Sequence, residues 1–212
     1  MASNQQRQTN PMLVPGRRLP KQRRSKETVR LIMEATIDLI EAEGFASLTM
    51  QKISETAGIN VAAVYSYFPN KHQVVSELNN QLVQERHVIR EKDFDRIVQQ
   101  DVHWADAYAE SLRGLARMLD DQRGYAVLTR AMYASPPLWE LHRKNQELVE
   151  QRMMHFLDKV DPDYAKGNKV RAKVLASVIA SVLELSQTEK DVDAGKMLDE
   201  LVKLVRNYLK SR

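Results

Sequence analysis

Cysteine is absent from the 212 residues of this chain, so no disulfide framework and no thiolate metal site can form. Glycine and proline are scarce, seven of each. No stretch sustains the period-two alternation of β-branched residues that marks a half-buried strand, and these absences together point to an all-α chain. No apolar run approaches the roughly 20 residues that span a bilayer, and the first residues are polar rather than leader-like, so a cytoplasmic location is expected. Catalytic signatures are missing too. There is no Gly-rich phosphate loop, no Gly-x-Ser-x-Gly elbow and no His-Glu-x-x-His, and His72, His87, His103, His142 and His155 do not pair at a helical ligand spacing. The expectation is therefore no enzyme, no metal and no cofactor.

What the chain does have is charge gathered at its front. The formal net charge is only +4, but Arg17, Arg18, Lys21, Arg23, Arg24 and Lys26 crowd together. They follow a Gln-, Asn- and Pro-rich opening without apolar periodicity, expected to be disordered. Such an arm either lies along phosphates and enters a minor groove or serves as a solubilising tail. Its position just ahead of the segment described next favours the first reading.

Residues 48–71, LTMQKISETAGINVAAVYSYFPNK, read as two short helices hinged at a glycine. Thr49 is suited to cap a helix over 49–57, with Ile53 and Ala57 on its buried face. Gly58 fits a left-handed helix end, and Asn60 caps a second helix through Val61, Ala62, Ala63, Val64, Tyr65, Ser66 and Tyr67. A helix that short must be held in place by its neighbours, as a recognition helix is. Asn70 caps a further helix whose first turn carries Lys71 and His72, a placement the helix dipole disfavours unless a phosphate sits there; the alternative is a solvated lysine. A first helix over 26–43, ended by Gly44, is scaffold.

The run 32–75 resembles the DNA-binding domain of the tetracycline-repressor (TetR) family of bacterial regulators. The resemblance is carried by Ala35, Gly44-Phe45, Thr49, Ala57-Gly58, Tyr65-x-Tyr67-Phe68 and Asn70-Lys71. Val61, Ala62 and Ala63 stand where the family more usually has basic, small and hydroxyl residues. The resemblance implies that one of the two tyrosines packs and the other meets phosphate, the latter being assigned to Tyr67. The expected DNA-contacting set is Arg17, Arg18, Arg23, Arg24, Thr49, Asn60, Val61, Ala62, Ala63, Tyr65, Ser66, Tyr67, Lys71 and His72.

Beyond residue 75 long helical patterns follow, giving three expected parts: a basic arm over 1–24, a helix-turn-helix domain over 25–75 and a larger helical domain over 76–212. Helices are expected from 71 to about 94, around Trp104 to Leu119, over 124–134 with Pro136 and Pro137 as a stop, and over 138–160. The last two carry apolar residues around most of their girth. One stripe of each can face the protomer core and the other a symmetry mate, unless both serve one thick internal core. The expected homodimer set is Leu175, Val178, Ile179, Val182, Leu201, Leu204, Val205 and Tyr208, a four-helix interface that the resemblance also implies. A dimer would set two recognition helices on a two-fold symmetric operator. The resemblance further implies a small-molecule effector bound between the middle helices. Trp104, Tyr108, Met132, Tyr133, Trp139, His142, Asn145, Val149 and Phe156 are the candidates, set against an ordinary core or a wetted helix edge. The expected function is a DNA-binding regulator, most naturally a repressor released by a hydrophobic effector. A regulator acting through a protein partner is the alternative.

Overall fold

A computed structural model describes residues 23–165, 169–188 and 191–211. Arg17 and Arg18 of the basic arm lie outside the described residues, and Arg23 and Arg24 fall on the first turn of α1. Among the described residues the chain is helical throughout: α1 Arg23–Ser47, α2 Met50–Ala57, α3 Val61–Tyr67, α4 Lys71–Gln99, α5 Trp104–Asp121, α6 Tyr125–Met132, α7 Pro136–Val160, α8 Pro162–Ala165, α9 Lys169–Thr188 and α10 Ala194–Lys210.

Local chemistry accounts for most of the boundaries. The Thr49 hydroxyl accepts from the Lys52 amide at 3.1 Å, and the Asn60 and Asn70 carboxamide oxygens accept from the amides of Ala62 at 2.8 Å and Gln73 at 3.0 Å. Each cap satisfies an amide that the first helical turn would leave orphaned. Gly58 sits at φ 64, ψ 30, and the amides of Gly58 and Ile59 return to the carbonyls of Glu55 and Ser54. Regular helix in α1 ends at Gly44, which is non-helical. Pro136 and Pro137 open α7 rather than merely ending α6, which stops at Met132. Proline lacks the amide that a first turn leaves unbonded, and its fixed φ suits that position. The helix expected from residue 71 runs on to Gln99.

Two apolar cores hold the helices. The first joins α1–α3 and the start of α4 through Ile32, Ile53, Val64, Phe68, Val74 and Val75, and it also takes in Leu128, Ala131 and Met132 of α6 and Leu138 of α7. The second packs α5, α7, α9 and α10 around Leu112, Phe156, Leu157, Leu175 and Val205, each at most 1% exposed. On the outside of the α5–α10 contact, Arg113 pairs with Asp199 at 2.7 Å and Lys210 with Asp106 at 2.7 Å. Such exposed pairs contribute little beside the apolar burial beneath them. No helix among the described residues is long and apolar enough to cross a membrane.

Candidate nucleic-acid interface and ligand cavity

In α3 only Val64 is fully buried, with Tyr67 packed beside it, so the helix is clamped along one side while its opposite face stays exposed. Ala62, Tyr65 and Ser66 are exposed and Val61 and Ala63 half-buried. Thr49 and Asn60 flank this face, each having spent an oxygen lone pair on a cap while keeping donor hydrogens free. The two tyrosines are placed the other way round from the expectation. Tyr65 is 52% exposed, whereas Tyr67 packs against the core around Phe68. Two residues of offset along a helix turn the side chain by about 200°, and here that takes Tyr67 to the side that faces the core.

Lys71 also has a role that sequence reasoning missed. Its Nζ donates to the carbonyls of Phe45 and Ala46 at 3.2 and 3.3 Å and lies 4.6 Å from the Phe45 ring centroid. The ammonium therefore satisfies carbonyls at the end of α1, which explains a cation in the first turn of α4 without a phosphate. His72 meets the same ring edge-on at 5.4 Å. Lys52 is paired with Glu43, and Arg30 with Glu27 and Glu34.

The second site is a cavity between α4, α5, α6, α7 and α9, with about 1180 Å³ of empty space, counting the part open to solvent. Of the residues expected to meet an effector, Tyr108, Met132, His142, Asn145 and Val149 line it. The other four do not. Phe156 is 1% exposed inside the second core, with Trp104 packed against it edge-on. Tyr133 and Trp139, 52% and 47% exposed, form an outer ring cluster with His142. The two departures have different causes: Phe156 and Trp104 are used as filling with Phe94 and Tyr108 where α4, α5 and α7 meet, whereas Tyr133 and Trp139 sit at the exposed junction of α6 and α7.

Beyond His142 and Asn145, the polar part of the cavity wall was not foreseen. Asn79, Arg86, His87 and Arg90 enter it from α4, Arg152 from α7 and Glu184 from α9. The Arg86 guanidinium lies 4.9 Å from the Tyr125 ring centroid, and its Nε donates to the Leu82 carbonyl. Burial pushes the pKa of Arg86 down against the opposing pull of Tyr125. Burial likewise raises the Tyr108 and Tyr125 phenols and the Glu184 carboxyl, and lowers the imidazoles of His142 and His87, the latter helped by Arg152. Arginines on a long helix normally belong to its solvated face, and the signal that could have exposed these is spacing. Asn79, Arg86 and Arg90 follow one stripe of α4 at steps of seven and four.

The model for the "Bacterial regulatory proteins, tetR family" matches residues 32–78, and that for the "Tetracyclin repressor-like, C-terminal domain" matches residues 103–209. The chain belongs to the TetR family. It is thus a helix-turn-helix DNA-binding transcriptional regulator, with α2 and α3 as the motif. Among solved structures, that of a TetR-family regulator from Syntrophomonas wolfei superposes with a TM-score of 0.74 at 12% identity, covering 88% of this chain and 96% of that one. The multidrug binding protein EbrR, complexed with imidazole, superposes at 0.59 with 16% identity, covering 83% and 93%. These likenesses speak to the TetR fold alone. A curated relative, the nucleoid occlusion factor SlmA of Vibrio campbellii, is 26% identical over 170 residues, 76% of this chain and 83% of its own length.

The final helices show which apolar stripe is spent within one TetR protomer. Leu175, Ile179, Leu201 and Val205 are at most 6% exposed, and all four lie in the second core. Within the chain they pack against α5 and α7. Val178, Val182 and Tyr208 are half-buried, and Leu204 is 50% exposed. Val170, Val174 and Leu185 join them on the outside at 73%, 43% and 42%.

Proposed function

We propose that this TetR-family regulator binds a two-fold symmetric operator as a homodimer and acts as a repressor, released when a small molecule occupies the central cavity. The observation that carries this reading is that the cavity and the DNA-binding domain share walls. α4 runs from the helix-turn-helix core into the cavity, and α6 puts Thr129 and Met132 on the cavity while Leu128 and Ala131 pack in the same core as α1. A ligand that fits only one arrangement of α4 and α6 shifts the population of DNA-binding domains by its differential affinity. The outward apolar stripe of Val170, Val174, Leu185 and Leu204 on α9 and α10 supports dimerisation, since contiguous exposed apolar surface marks an interface.

In the operator complex, α3 presents Asn60, Val61, Ala62, Ala63 and Ser66 to base edges and thymine methyls, with Thr49, Tyr65 and the arm arginines on phosphates. Because Lys52 and Arg30 are already paired and Lys71 is held by carbonyls, the arm supplies most of the phosphate charge. In vitro selection from random duplexes with the full chain tests the reading. A palindrome with half-sites about one helical turn apart is expected; a single asymmetric site would overturn the dimeric mode. The relative described as a nucleoid occlusion factor favours a second reading, in which a protein partner replaces the effector. Operator occupancy that ignores molecules shown to bind the cavity would favour that reading.

A further inference from the structure

The charge on the cavity wall is unbalanced. Arg90 is matched by Asp93 at 3.5 Å and also donates to Ser111 at 3.0 Å. Arg86 and Arg152 have no carboxylate within ion-pair distance among the described residues. Arg86 rests on Tyr125 and a backbone carbonyl, and Arg152 feels Glu91 only from beyond pairing distance. Glu184 is the only carboxylate among the described lining residues, and burial disfavours its charge. Polar atoms on the wall are unpartnered as well. Asn79 is 8% exposed, yet its Nδ2 makes no hydrogen bond, and neither does Asn145 Oδ1, while His87 Nδ1 faces the Glu91 carboxylate at 3.6 Å.

Even partly burying a guanidinium without a counter-charge is costly, and a folded chain keeps two half-buried ones, Arg86 and Arg152, at one cavity most simply where an anion completes them. The remainder of the wall is apolar: Val83, Leu115, Leu119, Val149, Ile179 and Leu183. We propose that the cavity takes an amphipathic monoanion, a carboxylate on an alkyl or aryl body, with its charge countered by Arg86 and Arg152 and its oxygens received by the Asn79 amide. Arginine suits this task because its planar fork matches a carboxylate's two oxygens. The assignment gives chemical class and sign to the effector of the proposed function and rests on that cavity being the effector site.

The test uses three probes with one body and three headgroups: decanoate, 1-decanol and decylammonium, each below its micellar concentration. Binding to the full chain is read by calorimetry and by the shift in melting temperature, without DNA. Decanoate should bind at least about tenfold more tightly than decanol, and decylammonium most weakly; Arg152→Gln should remove about tenfold of the decanoate affinity. Arg86→Gln should do the same; because it also loses the Tyr125 contact, its fold is checked by circular dichroism, and Arg152→Gln carries the test if it misfolds. Arg152→Lys should keep part of the preference, and exposed Arg117→Gln all of it. Equal affinity for the three probes, tighter binding of decylammonium, no binding of decanoate, or decanoate binding unchanged in Arg152→Gln would each overturn the proposal. Decanoate that binds through Arg152 but leaves operator DNA bound supports the anion site while refuting release by effector, so the two failures are distinguishable.

Discussion

Gly124→Ala is expected to loosen the joint between the cavity and the DNA-binding domain, and its cost can be worked from two separate terms. Gly124 caps α6 at φ 82, where an L-residue pays about 1–2 kcal/mol. A Cβ there would also stand 3.1–3.2 Å from three side-chain carbons of Ile37 on α1, and overpacking a filled contact adds about 1–3 kcal/mol. The total is roughly 2–5 kcal/mol, a large share of a typical domain's stability. Gly58 supplies the control: at φ 64 with nothing within 4 Å, its alanine variant should show only the backbone term of about 1–2 kcal/mol. Urea denaturation of Gly124→Ala, Ile37→Ala and the double variant gives a thermodynamic cycle. A coupling of at least about 1 kcal/mol is expected, because residues in contact are not additive. If Gly124→Ala costs no more than Gly58→Ala, or if the cycle is additive, α6 is not pressed against α1 as described.

Leu204→Glu should leave the fold intact, since that side chain is half exposed, yet yield a monomer in sedimentation; a DNA-competent dimer would place the interface elsewhere. Tyr65→Phe should weaken operator binding about fivefold, the worth of one net hydrogen bond of ~1 kcal/mol, whereas Tyr67→Phe should act mainly on stability; gel-shift titration and melting curves separate the two. The pH dependence has two opposing parts. The folded-state pKa values of His87 and His142 are lowered, so as pH falls below about 6.5 the unfolded chain binds more protons and stability drops. Glu184 is raised, so ionising it costs stability as pH climbs above about 4.5. His87→Gln/His142→Gln should therefore flatten the acid loss seen in pH-resolved melts and Glu184→Gln should steepen it, the reverse order being the refuting one.

The helix-turn-helix was legible because its determinants are local. Thr49, Gly58, Asn60 and Asn70 each act on amides or carbonyls within five residues of themselves. Lys71 was not, because the carbonyls it caps lie 25 and 26 residues away. Periodicity showed two apolar stripes on α9 and α10 but not which faces inward, a choice made by α5 and α7. Leu175 and Val178 are three residues apart and equally apolar, and only packing distinguishes them. The cavity arginines stayed hidden for a similar reason. Charge on a long helix signals water unless neighbouring elements close over it, and that closure is a property of the assembled fold.

The length of α4 sets the mechanical gain between its two ends. From Arg86 back to Lys71 the helix spans 15 steps, about 22 Å of rise. A tilt of about five degrees pivoting at the arginine would carry the Lys71 end sideways by about 2 Å, given that rise. Lys71 is hydrogen-bonded to the end of α1, so the displacement is handed to the neighbouring scaffold rather than lost in a loop. In a two-fold pair the displacements oppose, and the separation of the recognition helices would change by about 4 Å against a groove repeat of about 34–36 Å. In the proposed two-fold pair, a tilt of about five degrees at the cavity end of α4 would thus alter the half-site spacing by about a tenth.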